Sequence, residues 1–265
     1  MQLAGTTALL TGASGGIGKA IAHALHGSGA RVLLSGRRAE VLAELAAELG
    51  GNAEVLEADL AEPAGAAALA ERAGAVDVLV ANAGLPASGR LERFRPEEID
   101  RALEVNLRAP IQLTRALVPG MVERGRGHLV FVSSLNGKVA TARAALYSAT
   151  KFGLRGFAGG MREDLHGTGV GVTVVFPSFI SEAGMFAETG VKMPPWVGTR
   201  RPDDVARAIV RGIESDRAEI DVAPLALRLG ALASAVAPGT VARAQRLLGS
   251  QGIARSISSR QREKR

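Results

Sequence analysis

Cysteine is absent from the 265 residues. Disulfides, thiolate nucleophiles, cysteine-ligated zinc and iron–sulfur clusters are therefore excluded, and any redox chemistry must be done on a borrowed cofactor. Aromatic residues are scarce as well, with seven Phe, one Trp and one Tyr, so the ring platforms that hold single-stranded nucleic acid are missing. No zinc-finger or RNA-recognition signature is present to compensate. Long apolar runs are also lacking: no uncharged apolar stretch approaches the ~18 residues of a membrane span. The strand-like segment Thr6–Thr11 comes early, with no basic region leading into a hydrophobic one, and the expectation is a soluble cytoplasmic protein. The net charge of +6 and pI near 10.4 point toward nucleic acid. However, Arg255, Arg260, Arg262, Lys264 and Arg265 against Glu263 put +4 of that charge in the last eleven residues. The body of the chain is close to neutral, and no nucleic-acid partner is expected.

What is present is apolar and regularly punctuated. Apolar residues make up 47% of the chain, enough for a sizeable core. Short β-branched or Leu-rich runs recur at Thr6–Thr11, Arg31–Ser35, Ala53–Ala58, Val76–Ala81, His128–Ser133, Val170–Phe176 and Ala218–Val222. Between them lie stretches of helical spacing, among them Ile17–Gly27, Glu40–Leu49, Glu97–Glu123, Ala144–His166 and Asp203–Glu214. Such alternation predicts an α/β single-domain Rossmann fold over residues 1–223: a doubly wound, seven-stranded parallel sheet with helices on both faces. Ligands then gather at the carboxyl ends of the strands. An irregular stretch rich in Gly, Pro, Met and Phe, residues 178–201, is a candidate substrate loop, with Phe179, Met185, Phe186, Met193 and Trp196 as an apolar lid. Residues 224–254 read as a helical extension broken at Pro238-Gly239, and residues 255–265 as a basic, disordered tail. The extension packs on the domain or a neighbouring subunit, or docks with the tail on a membrane surface.

Chemistry is concentrated just after the strands. The first is followed by Gly12-Ala13-Ser14-Gly15-Gly16-Ile17-Gly18 and then a helix. Glycines there let main-chain N–H groups and the positive end of the helix dipole approach a phosphate. The second strand ends at Gly36-Arg37-Arg38, where folds of this kind place an acid for the ribose 2′-hydroxyl of NAD. No acid is present, and two guanidinium groups suit a 2′-phosphate, so NADP is expected over NAD. The only tyrosine, Tyr147, precedes Lys151 by four residues. On a helix that pair shares a face, and an ammonium beside the phenol would lower its pKa for proton transfer near neutrality. Pro110 lies four residues after Asn106 inside an otherwise helical stretch. It has no N–H to give the Asn106 carbonyl, so a kink is expected there.

Together these residues resemble the short-chain dehydrogenase/reductase family from Thr6 to about Val222. The resemblance implies that Gly12, Ser14, Gly15, Gly16, Ile17 and Gly18 bind the pyrophosphate and that Asp59-Leu60 contacts adenine. It also implies that Asn82-Ala83-Gly84 closes over the cofactor and that Pro177 and Ile180 line its nicotinamide end. Ser134, thirteen residues before Tyr147, would hold the substrate oxygen while Tyr147 passes the proton. Lys151 would bind the nicotinamide ribose, Asn106 would hold a proton-relay water, and no metal takes part. The implied reaction interconverts a small-molecule carbonyl and its secondary alcohol. The implied assembly is a homodimer or homotetramer through the two long helices, with Phe152 and Phe157 among the contacts.

Three positions depart from the family pattern: Ala81 before Asn82-Ala83-Gly84, Ser178 after Pro177, and Ser181-Glu182 where a threonine is expected. They bear on the nicotinamide side of the pocket. The competing reading is a catalytically silent dinucleotide-binding sensor or scaffold. An intact Ser134, Tyr147 and Lys151 argues against it, since a binder has no need of proton-transfer groups.

Overall fold

The computed structural model describes residues 1–191, 193, 197–247 and 250–261. Trp196 and the last four residues lie outside them. The strands are β1 (Thr7–Thr11), β2 (Arg31–Gly36), β3 (Ala53–Glu57), β4 (Val78–Ala81), β5 (Gly127–Val132), β6 (Val170–Pro177) and β7 (Glu219–Val222). All neighbouring pairs are parallel, in the order β3-β2-β1-β4-β5-β6-β7. The helices among the described residues run α1 (Gly16–Gly27), α2 (Ala39–Leu49), α3 (Gly65–Ala73), α4 (Pro96–Leu103), α5 (Ala109–Glu123), α6 (Ala145–Asp164), a short α7 (Gly184–Ala187), α8 (Pro202–Glu214), α9 (Leu225–Val236), α10 (Pro238–Leu247) and α11 (Ser250–Arg260). None is long and apolar enough to cross a membrane.

A strand buried on both faces needs apolar residues at successive positions. In β1, Ala8 and Leu10 pack with Ile21, Leu25, Leu42, Leu45, Val205 and Ile209 of α1, α2 and α8. Leu9 points the other way, toward Leu69, Leu113, Leu117 and Leu154 of α3, α5 and α6. The sheet order reverses between β1 and β4, so their crossovers leave in opposite directions and open a crevice at the carboxyl ends. Two expectations need correction. The long helix expected over Glu97–Glu123 divides: Glu104–Arg108 is a π-helical turn between α4 and α5, with Pro110 at the start of α5. The lost acceptor bond is absorbed by one wider turn and not by a simple kink. The tail expected to be disordered from Arg255 is helical through Arg260.

His128 in β5 is 2% exposed, and its Nε2 lies 2.8 Å from Thr173 Oγ1. That hydroxyl donates its own proton to the Arg217 carbonyl at 2.7 Å, so the imidazole must be the donor, in the neutral Nε2–H form. Burial pushes its pKa from 6.5 down to about 4, against the pull of Asp216. The unfolded chain therefore takes up this proton first. The stability involved, on the order of 3 kcal/mol, is present above the unfolded value and lost as pH falls toward about 4. Thermal unfolding should show a smaller drop in Tm between about pH 7 and about pH 5 for His128→Gln than for the wild type. An equal drop contradicts the assignment.

Candidate active site

One wall of the crevice is the turn from β1 to α1. Gly12 adopts φ +68°, and a methyl group on Gly18 would collide with the Gly12 carbonyl. Only glycine lets the helix start this close to the strand. No side chain caps α1 and no acid stands in its first turn, so its positive end faces the crevice. At the end of β2, Arg38 donates through Nη2 to the Ser14 carbonyl, while Arg37 Nη1 stands 3.9 Å from Asp59 Oδ2. Two half-exposed guanidinium groups thus flank Gly36, one against the glycine turn and one against the residue expected near adenine. Asp59 also accepts from the Ala61 N–H at 2.9 Å. The Leu60 side chain is buried in the core, which leaves only its main chain for a ligand.

The opposite wall begins after β4. Asn82 Nδ2 donates to the carbonyls of Thr11 and Gly12 at 3.0 and 3.2 Å. The Thr11 hydroxyl in turn accepts from the N–H groups of Asn82 and Ala83 at 3.1 and 3.0 Å. These bonds tie the two strand ends together across the switch point, and they need nothing from position 81. Asn106, on the π turn, is 1% exposed. Its Oδ1 accepts from Leu85 N–H at 2.7 Å and its Nδ2 donates to the Leu85 carbonyl at 3.0 Å. A methyl group on Gly84 would lie 3.4 Å from Asn106 Oδ1, 3.6 Å from Met185 Cε and 3.8 Å from Lys151 Nζ. Gly84 therefore marks the point where the expected residues converge.

Ser134 begins a short 3-10 turn after β5, its Oγ accepting from Asn136 N–H at 3.2 Å. It also hydrogen-bonds the Tyr147 phenol. The first turns of α6 carry Tyr147 and Lys151, and Lys151, 3% exposed, donates to the Val132 carbonyl at 3.0 Å. Its Nζ sits 5.7 Å from the centre of the Tyr147 ring. Burial lowers the ammonium to about 8. Burial raises the phenol to about 12, and the Ser134 bond pulls it only partly back. The expectation of a lowered phenol pKa is thus overturned for the protein alone. The ammonium is turned to a main-chain oxygen, and desolvation dominates.

The loop after β6 closes the crevice from above. A methyl group on Gly16 would collide with Ala183 Cβ, so the loop rests on the glycine turn. Phe179 and Phe186 pack with ring centres 4.9 Å apart. Pro177 ends β6, while the Ile180 side chain is 3% exposed within the core and its main chain pairs with Arg200. The unusual Ser181-Glu182 is held on the same side: Ser181 Oγ donates to the Arg200 carbonyl, and exposed Glu182 pairs with Arg201 at 3.2 Å. Sequence reasoning missed the other support of this loop. Gln261 Nε2 donates to the Met185 carbonyl at 3.1 Å, and Arg260 Nη1 donates to the Thr189 carbonyl. These partners are more than seventy positions apart, and no local pattern announces them. Phe157, expected at a subunit contact, packs edge-on against Phe131 at 5.7 Å. Phe152 is 41% exposed.

A doubly wound sheet with a glycine turn and basic groups on one side of its crevice, and Ser134, Tyr147 and Lys151 on the other, is the arrangement expected of a dinucleotide-binding oxidoreductase. The chain belongs to the short-chain dehydrogenase family, whose model, described as "short chain dehydrogenase", matches residues 6–193. It is 38% identical over 227 residues to the ketoacyl reductase HetN of Nostoc sp., covering 83% of this chain and 79% of that one. Among solved structures, a metagenomic short-chain oxidoreductase in complex with NADP is 36% identical at a TM-score of 0.71, covering 84% of this chain and 99% of that one. A short-chain dehydrogenase from Sphingobium yanoikuyae in complex with NADPH is 30% identical at a TM-score of 0.77, covering 87% and 93%.

If Arg260 and Gln261 hold the loop, the double variant Arg260→Ala/Gln261→Ala should be cut by chymotrypsin within 178–201 several-fold faster than the wild type. Equal cleavage would mean that the loop is held without them.

Proposed function

We propose that the protein is an NADPH-dependent reductase that converts a small to medium, mostly apolar ketone to its secondary alcohol, the reverse oxidation using the same groups. The observation that carries this reading is the convergence of Ser134, Tyr147 and Lys151 at one end of a crevice whose other end holds Arg37 and Arg38. The residues present fit the cofactor. The uncapped start of α1 suits the pyrophosphate, the paired guanidinium groups suit a 2′-phosphate, and Gly84 leaves room beside Lys151. Solved relatives with bound NADP and NADPH support the same choice. The nicotinamide of a bound NADPH supplies the hydride.

The remaining chemistry falls to the chain's own residues. Ser134 accepts from Asn136 N–H and shares a hydrogen bond with the Tyr147 phenol. A substrate oxygen arriving between the two would take over the O–H that Ser134 now turns to the phenol. A phenol raised to about 12 stays protonated at neutral pH. Tyr147 is therefore set to donate a proton to that oxygen as it gains negative charge, which favours the reductive direction. Lys151 is still largely protonated below its value of about 8; beside the Tyr147 ring it would stabilise the phenolate left behind and would hold the ribose hydroxyls of a bound cofactor. The Asn106 side chain is committed to Leu85 and positions the Asn82–Leu85 segment. With the side chain so occupied, the relay-water role implied for Asn106 would fall to its main-chain carbonyl. Phe179, Met185 and Phe186 give the substrate side an apolar lining.

The test is NADPH consumption over a panel of ketones. Tyr147→Phe, which keeps the ring, should cut turnover at least roughly 10²-fold with NADPH affinity retained. In the same assay NADPH should exceed NADH in kcat/KM by about ten- to hundredfold at fixed ionic strength, the worth of a charge-assisted bond to the 2′-phosphate. Near-wild-type turnover of Tyr147→Phe would refute the mechanism, and a ratio at or below one would refute the cofactor.

A further inference from the structure

We infer that the C-terminal extension is a docking surface for an anionic lipid bilayer. Large apolar side chains at the protein surface are normally scattered, and Leu91, Leu103, Val122 and Phe152 are of that kind. The extension is different. On α9, Leu225, Leu229, Leu232 and Val236 are 65%, 55%, 64% and 88% exposed. At one turn per 3.6 residues these four fall within an arc of about 60°. Buried Ala231 and half-buried Leu227 and Ser234 lie on the opposite side, against the protein. The four therefore form one continuous stripe aimed away from the domain. Leu247 on α10 adds a fifth side chain, 88% exposed.

Charge selects what meets this stripe. From Ala223 to Gln261 the chain contains no Asp or Glu, yet it carries Arg228, Arg243, Arg246, Arg255 and Arg260. Arg260 is committed to the Thr189 carbonyl, while the other four arginines are exposed on α9, α10 and α11. A second copy laid against the same face would bring unpaired like charges together, with no carboxylate in either segment to offset them. A bilayer carrying anionic phosphates satisfies both features, with acyl chains for the leucines and headgroups for the arginines. A twelve-residue helix is about 18 Å long, too short to span the hydrocarbon and suited to lying in the interface. Because α11 also holds the Met185–Thr189 segment, the surface that meets lipid and the cover of the crevice are one connected unit.

The full-length protein is tested by vesicle flotation. Phosphatidylcholine vesicles with about 30% phosphatidylglycerol should recover at least about tenfold more protein than phosphatidylcholine alone, and added salt should reduce the difference. Leu229→Asp/Leu232→Asp and Arg243→Glu/Arg246→Glu should each lower recovery about tenfold while leaving ketone turnover in solution unchanged. If the aspartate variant loses its thermal transition, the arginine variant decides alone. Equal recovery on both vesicles, no recovery, or variants that float like the wild type would overturn the inference. It would also be overturned if Leu229→Asp/Leu232→Asp lowered the molecular mass in light scattering without vesicles, which would show that a second copy covers the stripe.

Discussion

A lysine ammonium kept out of water beneath the crevice is the constraint around which this molecule is arranged. Lys151 is 3% exposed and rests on one carbonyl, that of Val132 at the end of β5. Its pKa in the folded chain lies near 8, below the 10.5 of the unfolded chain. The charged group therefore opposes folding at neutral pH by on the order of 3 kcal/mol, and that opposition is relieved as pH rises from about 8 toward 10.5. A sheet and helix pair that needed only to be stable would place Leu or Met here. That an ammonium is kept, one helical turn from a phenol and beside Gly84, is what the proposed chemistry would require.

The surroundings hold that ammonium in place. The reversal of strand order between β1 and β4 opens the crevice, and Asn82 closes its floor by bonding Thr11 and Gly12 across the switch point. The π turn at Glu104–Arg108 swings Asn106 onto Leu85, which fixes the chain that passes Gly84. Helix α6 then brings Tyr147 and Lys151 up from the other side, where Ser134 meets the phenol. Each wall is set by hydrogen bonds between side chains and main chain, from Asn82, Thr11 and Asn106.

Much of this was legible in the residues. All seven strands fall within two residues of the runs read from hydropathy, and the inner ones, buried on both faces, announce themselves by composition. The glycine turn was legible for the same local reason, since close approach of helix to strand permits no side chain at Gly18. The widening at Asn106 was half legible: Pro110 predicts a lost bond, but whether the helix kinks or gains a wider turn depends on the pull of Leu85, a partner 21 positions away. The direction of the Tyr147 shift was not legible, because spacing alone puts a lysine near a ring without saying which way its ammonium points. The clasp of Arg260 and Gln261 on the loop was not legible at all, being a meeting of distant segments with no repeating pattern.

The central claim is that Lys151 opposes stability and serves cofactor and proton transfer together. Its most direct test is Lys151→Met, followed by thermal unfolding at neutral pH and NADPH titration of the same preparation. The account predicts a Tm equal to or above that of the wild type, with NADPH binding weakened and ketone turnover lost together. A Tm lowered by several degrees with NADPH affinity intact would make Lys151 a structural residue and contradict the account.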